Sequence, residues 1–322
     1  VHRLNLIKKS SNLFTFLYNN ITRIFRIRKK IKSLSPDIII SFMPETNIIS
    51  IIAAFKTNIP IVISERVHPA YNEIGSVRSL ARKFFYKYAK KIVVQTADIA
   101  NWINENCKTK SVVIPNPVEI SAIKVFKNKN SFINKSFSKK KTIVSIGRLD
   151  HQKGFDLLIS SFSQVYQKHP NWILIIFGEG SEREKLEHLI RKNTLKKKIL
   201  LLGVTKNIIS ELKSCDLYIH PSRYEGFPNA LVEALACKKP VIASDCPGAT
   251  KEILDNGNNG FLFPTNDKDS LAKCMDKLMS EKELRKKFIS KGFNSIKEFD
   301  APLIAKKWSD LFYSICSKSK KN

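Results

Sequence analysis

The feature that most constrains this chain is its rhythm. Short runs with apolar centres at 37–42, 59–64, 91–95, 111–115, 142–146, 172–177, 199–204, 216–220, 241–244 and 260–263 alternate with longer segments of helical composition. Runs that are apolar throughout, not at every second position, suit strands buried on both faces. Helical segments at 47–55, 77–90, 98–105, 155–168, 230–237, 270–279 and 281–289 lie between and after them. Together they predict α/β architecture with parallel sheets covered by helices on both sides. Such sheets bind ligands beyond the carboxyl ends of their strands, so the loops that follow the strands are where chemistry is sought.

At 322 residues the chain has room for two domains of this kind. Asn116-Pro117 closes the first, over 1–118. A polar stretch at 119–140, rich in Lys124, Lys127, Lys129, Lys135, Lys139 and Lys140, reads as a partly mobile linker, and 141–301 forms the second domain. Lys and Arg number 56 against 28 Asp and Glu, a net charge of +28 that favours anionic partners: nucleic acid, anionic lipid or phosphorylated substrates. The six cysteines show no CxxC pair and no metal-ligand spacing with His, so they read as reduced, mostly buried thiols of a cytosolic protein. No run approaches the length of a membrane span, and no secretory signal is visible.

The loop-and-helix stretch 221–236 is the most informative of those that follow a strand. Gly226 and Pro228 break the periodicity, Asn229 is a candidate N-cap, and Ala230 begins a run of helix formers. A helix start of this kind offers free backbone N–H groups and a positive dipole end to phosphate. Glu225 lies in the turn before it and Glu233 one turn inside, leaning back toward the N-terminus, so both carboxylates can face one pocket. Carboxylates there suit sugar hydroxyls on either side of a diphosphate. Equally, they can be first-turn acids that complement the helix dipole.

Glu225 and Glu233 at this spacing, followed by Lys239-Pro240-Val241-Ile242-Ala243-Ser244 and Gly257-Asn258-Asn259-Gly260-Phe261-Leu262, resemble the donor-site signature of retaining glycosyltransferases of the GT-B fold, family 4 or group 1. The resemblance runs from about Thr142 to Leu278, and more faintly back to Ile38. It implies two Rossmann-like domains with a cleft between them. It also implies a nucleotide-sugar co-substrate, no cofactor, and a last helix at 302–316 that packs back on the first domain. Within it, Gly147, Arg148 and Lys153 look like the loop that clamps the donor diphosphate, where guanidinium offers a fork and ammonium a point charge. Gly203 and Val204 resemble the turn that holds the base. Gly226, Phe227, Pro228, Asn229 and Ala230 would present the helix start, Glu225 would orient the transferred sugar, and Glu233 the ribose. Relatives often carry a histidine near the reacting sugar, and His68, beside Arg66, is the nearest match; a surface-loop histidine without a role is the bland alternative. Glu45, in the loop 43–47, is a candidate for acceptor hydroxyls or a plain helix cap. Family members usually begin with a strand and a glycine-rich loop. Neither is recognisable after Val1, so the expectation is either that the N-terminus has been lost or that the first domain is incomplete.

Within that class the chain looks most like N-acetylgalactosamine transferases that extend undecaprenyl-diphosphate-linked glycans. Ser64-Glu65, Ile146-Gly147-Arg148-Leu149-Asp150-His151 and the strand 38–42 carry that likeness. It implies a UDP-N-acetylhexosamine donor, a glycan or lipid-linked glycan acceptor, and work in surface polysaccharide, lipopolysaccharide or protein-glycan assembly. Apolar residues from Leu13 to Ile27, interleaved with Arg23, Arg26, Arg28, Lys29, Lys30 and Lys32, read as a basic amphipathic helix. Such a helix can lie on an anionic membrane surface, here the inner face of the cytoplasmic membrane, or simply cover a sheet. No Asp-x-Asp motif stands at a matching strand end, so metal-independent transfer is expected, with the cations and the helix start carrying leaving-group charge. Two rivals remain. One is a GT-B sugar-nucleotide epimerase, whose catalytic acids are not recognisable in the first domain. The other is a nucleic-acid-binding protein, disfavoured because the basic residues are scattered and no binding module is visible. The lone Gly178-x-Gly180 is not a dinucleotide fingerprint.

Overall fold

A computed structural model describes residues 12–71, 74–126 and 131–319. Val1, Lys127, Lys129 and the end of the tail at 320–322 lie outside the described residues. The chain divides into two units, one of 1–115 with 305–322 and the other of 116–304.

In the first unit β1 (Ile39–Phe42), β2 (Ile61–Ser64), β3 (Lys91–Val94) and β4 (Ser111–Val113) form a parallel sheet in that order. The β2 run is buried along its whole length, as a continuous apolar run requires. In contrast, among the described residues β1 is an edge strand: Ile40 and Phe42 are exposed, against the expectation of a strand buried on both faces. A helix at Leu13–Leu34 precedes it, opened by an Asn12–Thr15 capping box, and packs on the helix Pro44–Ala54. The last helix, Ala301–Ser319, sets Trp308 against Phe42 with ring centroids 6.3 Å apart.

The second unit holds β5 (Lys141–Ile146), β6 (Trp172–Phe177), β7 (Ile199–Leu201), β8 (Leu217–His220), β9 (Val241–Asp245) and β10 (Phe261–Pro264). Their order is β10-β9-β8-β5-β6-β7, all parallel. The chain therefore winds outward from β5 in one direction and from β8 in the other. The β5/β8 junction, with Ile143 beside Leu217 and Val144 beside Tyr218, is the switch point where open α/β sheets bind ligands.

The stretch read as a linker is not irregular. Ile120–Val125 and Phe132–Phe137 are short helices that bury Ile120, Ile123 and Ile133 in the core of the second unit. Polar composition hid them, because only one residue per turn faces inward. All six cysteines are unpaired thiols, and burial pushes Cys215 and Cys237 up to about 12. Among the described residues no helix is long and apolar enough to cross a membrane, and no cluster of His, Cys, Asp or Glu is placed to hold a metal.

Candidate active site

Two loops leave the switch point side by side. One follows β5 and carries Gly147, Arg148 and Lys153; the other follows β8 and carries 221–228. They are joined by main-chain and side-chain bonds. Arg223 N donates to Gln152 O at 2.7 Å, and Gln152 Nε2 to Tyr224 O at 2.9 Å. The Arg223 guanidinium grips both oxygens of Asp156, at 3.0 and 2.8 Å, and also donates to His151 O. Gly154 takes φ +64°, and a Cβ there would meet Pro221 O at 2.2 Å, so only glycine lets the loops approach this closely.

Within this frame Glu225 is buried and heavily engaged. Lys153 Nζ reaches its Oε1 at 2.5 Å and His220 Nε2 reaches the same oxygen at 3.0 Å. Burial opposes the charge, yet the hydrogen bond from His220 and the ammonium of Lys153 prevail and hold the carboxyl down to about 2. The sequence reading aimed Lys153 at phosphate and had no partner for it. In the structure it is bound to Glu225, 72 residues away. Arg148 is exposed, within 3.1 Å of Asp150 and donating to Gln152 Oε1 at 3.2 Å.

The helix that follows spans Asn229–Ala236. Asn229 was expected as its N-cap, but Pro228 holds that position and no side chain caps the helix. The Asn229 carboxamide is occupied elsewhere, accepting from Asn116 Nδ2 at 2.8 Å. Gly226, Phe227 and Pro228 are buried, and Ala230 is partly so. Glu233 is half-buried and its carboxylate has no hydrogen-bond or ion-pair partner among the described residues; burial alone pushes its carboxyl above the usual range. It lines a pocket of about 250 Å³ with Asn116, Val118, Phe227, Asn229 and Val232.

A second pocket, of about 190 Å³, lies between the ends of β5, β6 and β7. Gly147, Arg148, Phe177, Gly178, Val204 and Ile208 line it. Gly203 O accepts from Gly178 N at 2.8 Å, and Val204 stands exposed beside it. The approach of the β5 and β6 ends depends on Gly178, where a Cβ would sit 1.7 Å from Gly147 O.

His68 belongs to the first unit and is not the surface histidine of the bland reading. It is 4% exposed, its Nδ1 accepts from Ala70 N at 3.3 Å, and its Nε2 lies 3.1 Å from Asp98. Burial holds its imidazole below the usual range against the pull of Asp98. Beside it Arg66 stacks over the rings of Phe42 and Trp308. Glu65 is fully buried against Arg82 and Tyr86, and burial raises it to about 7 despite the guanidinium. Glu45 lies 3.9 Å from Arg78. Sequence reasoning missed Tyr218, His220, Gln152, Arg223 and Asn116. The one available signal was the pair of polar rings, two residues apart, on a strand that ends at the switch point.

Residues 126–295 match the family model described as Glycosyl transferases group 1, and 2–122 match that of Glycosyltransferase Family 4. An uncharacterized glycosyltransferase of Methanocaldococcus jannaschii is 31% identical over 94% of this chain and 85% of its own length. A Campylobacter jejuni protein is 27% identical over 95% of this chain and 84% of its own. It is named as an N-acetylgalactosamine-N,N'-diacetylbacillosaminyl-diphospho-undecaprenol 4-alpha-N-acetylgalactosaminyltransferase. Among solved structures, Anabaena HepE in complex with UDP and glucose superposes with a TM-score of 0.80, at 20% identity, over 95% of this chain and 84% of that one. Sucrose-phosphate synthase from Thermosynechococcus elongatus gives 0.82 at 16% identity, over 98% and 83%.

Proposed function

The chain belongs to the group 1 glycosyltransferases of family 4 and has their GT-B fold, and we propose that it moves an N-acetylhexosamine from a UDP donor to a lipid-diphosphate-linked glycan with retention of configuration. The observation that carries this reading is the contrast between the two glutamates at the switch point. Glu225 is ionised and held rigidly by His220 and Lys153. Glu233, one turn into an uncapped helix, is half-desolvated and unpartnered, as a carboxylate awaiting hydroxyl donors is.

In this reading the diphosphate lies at the start of the helix Asn229–Ala236, reached by Arg148 and Lys153. Lys153 neutralises Glu225 until the donor arrives and then shares its charge with phosphate. These groups stabilise charge on the leaving diphosphate, and a metal ion is not needed for that purpose. Glu225 faces the transferred sugar, Glu233 the ribose, and the pocket between β5, β6 and β7 takes the base, with main-chain contacts at Gly203 and Val204. His68 contributes on the acceptor side. Support for the substrate class comes from relatives named as transferases acting on undecaprenyl-diphosphate glycans and from the UDP in structural neighbours. A peripheral place on the inner face of the cytoplasmic membrane is supported by the helix Leu13–Leu34, whose Phe14, Tyr18, Ile21 and Phe25 are exposed at helical spacing beside Arg26 and Lys29.

A donor screen tests the proposal. The protein is incubated with a panel of nucleotide sugars and undecaprenyl-diphosphate-linked glycans, following UDP release and glycan extension. UDP-N-acetylhexosamine turnover that requires acceptor is expected. An isomerised free sugar or nucleotide sugar, formed without acceptor, would make the protein an epimerase instead.

A further inference from the structure

We infer that His220, oriented by Tyr218, is a positioning residue that fixes the Glu225 carboxylate with one oxygen committed to the protein and the other left for the donor sugar. The inference rests on the proposed role of Glu225. Tyr218 and His220 lie two residues apart on β8 and so point to the same face of the sheet, with stacked rings 6.2 Å apart. Tyr218 OH lies 3.2 Å from His220 Nδ1, and His220 Nε2 lies 3.0 Å from Glu225 Oε1. Both rings are essentially inaccessible, at 0% and 2% exposure.

Proton bookkeeping fixes every donor in this chain. An ionised carboxylate only accepts, so Nε2 must carry the hydrogen; the Nδ1 lone pair is then free to accept from the phenol. Burial favours the neutral imidazole this requires and keeps the phenol protonated. Lys153 shares Oε1 with His220, and Oε2 makes none of the hydrogen bonds described for Glu225. One edge of the carboxylate is therefore held from two sides, from the β5 loop and from β8. A reacting group must be held to within a fraction of an ångström, and a two-point grip that leaves one oxygen free meets that demand. The charged and titratable groups facing Glu225 are Lys153, His220 and Tyr218, with Cys246 after β9, and Tyr218 is faced in addition by Glu233 on the helix and by Cys215.

The test compares His220→Leu, His220→Gln and Tyr218→Phe in the full chain. Leucine removes the donor, whereas the glutamine amide places an N–H near the position of Nε2. His220→Leu is expected to lower kcat about ten- to a hundredfold while UDP affinity changes less than about threefold. His220→Gln should recover most of that loss, and Tyr218→Phe should fall between. Without its hydrogen bond Glu225 ionises less readily, so the acid limb of the kcat profile should move to higher pH in His220→Leu and stay in place in His220→Gln. Wild-type turnover in His220→Leu overturns the positioning role, as do equal losses in the leucine and glutamine variants that track melting temperature. Should the leucine variant fail to fold, Tyr218→Phe decides, because wild-type kcat and pH profile there contradict the inference. Undiminished turnover in Glu225→Gln would overturn the underlying reading. Loss in Glu225→Gln with wild-type behaviour in His220→Leu overturns only this one.

Discussion

At the residue scale, Glu225 and Glu233 are the same side chain in opposite circumstances, and their stability signatures have opposite signs. Glu225 falls from a usual 4.5 to about 2 in the fold. Its contribution to stability is therefore present above pH 4.5 and is lost as the pH drops through about 2. Glu225→Gln should lower the melting temperature at pH 7, with the gap to wild type closing as both are acidified, and should cut turnover roughly a hundredfold. Glu233 is raised, so its charge costs the folded state stability at neutral pH, a cost relieved on acidification. Glu233→Gln should raise the melting temperature at pH 7 by roughly 1–2 °C while weakening donor binding by about 1.5–3 kcal/mol. If Glu233 only complemented the helix dipole, the same substitution would lower the melting temperature and leave binding alone. The places of both glutamates, one in the turn and one a turn into the helix Asn229–Ala236, were legible in the sequence, because turn residues and helix formers mark them. The partners of Glu225 were not: Leu217-Tyr218-Ile219-His220 reads as one more buried strand, and Lys153 meets Glu225 only once β5 and β8 are neighbours. The N-cap was misassigned for a similar reason, since the Asn229 amide is claimed by Asn116, 113 residues away.

At the element scale, the site is a junction of two strand ends, and its rigidity rests on the bonds that tie their loops. Among these is the bidentate Arg223–Asp156 pair, with side chains 12% and 27% exposed. Arg223→Ala leaves Asp156 without its cation and frees both loops. It should cost about 2–3 kcal/mol in urea unfolding, and UDP affinity should fall with it. A variant with wild-type stability and weakened UDP binding would move Arg223 from scaffold to ligand contact. Apolar runs predicted the strands within a residue or two, because burial on both faces leaves little choice of residue; the exception is the run 199–204, of which only Ile199–Leu201 is strand. Their order within each sheet was not legible, nor was the exposed edge at β1, since both depend on pairings between distant segments.

At the scale of the whole molecule, the net charge of +28 is too large to be explained by one phosphate site. If the basic helix Leu13–Leu34 meets anionic lipid, neutralising Arg26 and Lys29 together should weaken co-sedimentation with phosphatidylglycerol vesicles by about 2 kcal/mol at low salt. Binding that ignores lipid charge and ionic strength would contradict that role. The family and its fold were legible from ordered motifs across the second half of the chain, whereas the packed helices at Ile120–Val125 and Phe132–Phe137 were hidden by lysines on their outer faces. The central claim is that the switch point of the second unit holds a nucleotide diphosphate through Arg148, Lys153 and the start of the helix Asn229–Ala236, without a metal ion. Calorimetric titration of UDP into the protein in excess EDTA tests it directly. The account predicts binding by the wild type and affinity lowered about ten- to a hundredfold in Arg148→Ala and Lys153→Ala. No binding until manganese is added, or equal affinity in all three proteins, would contradict it.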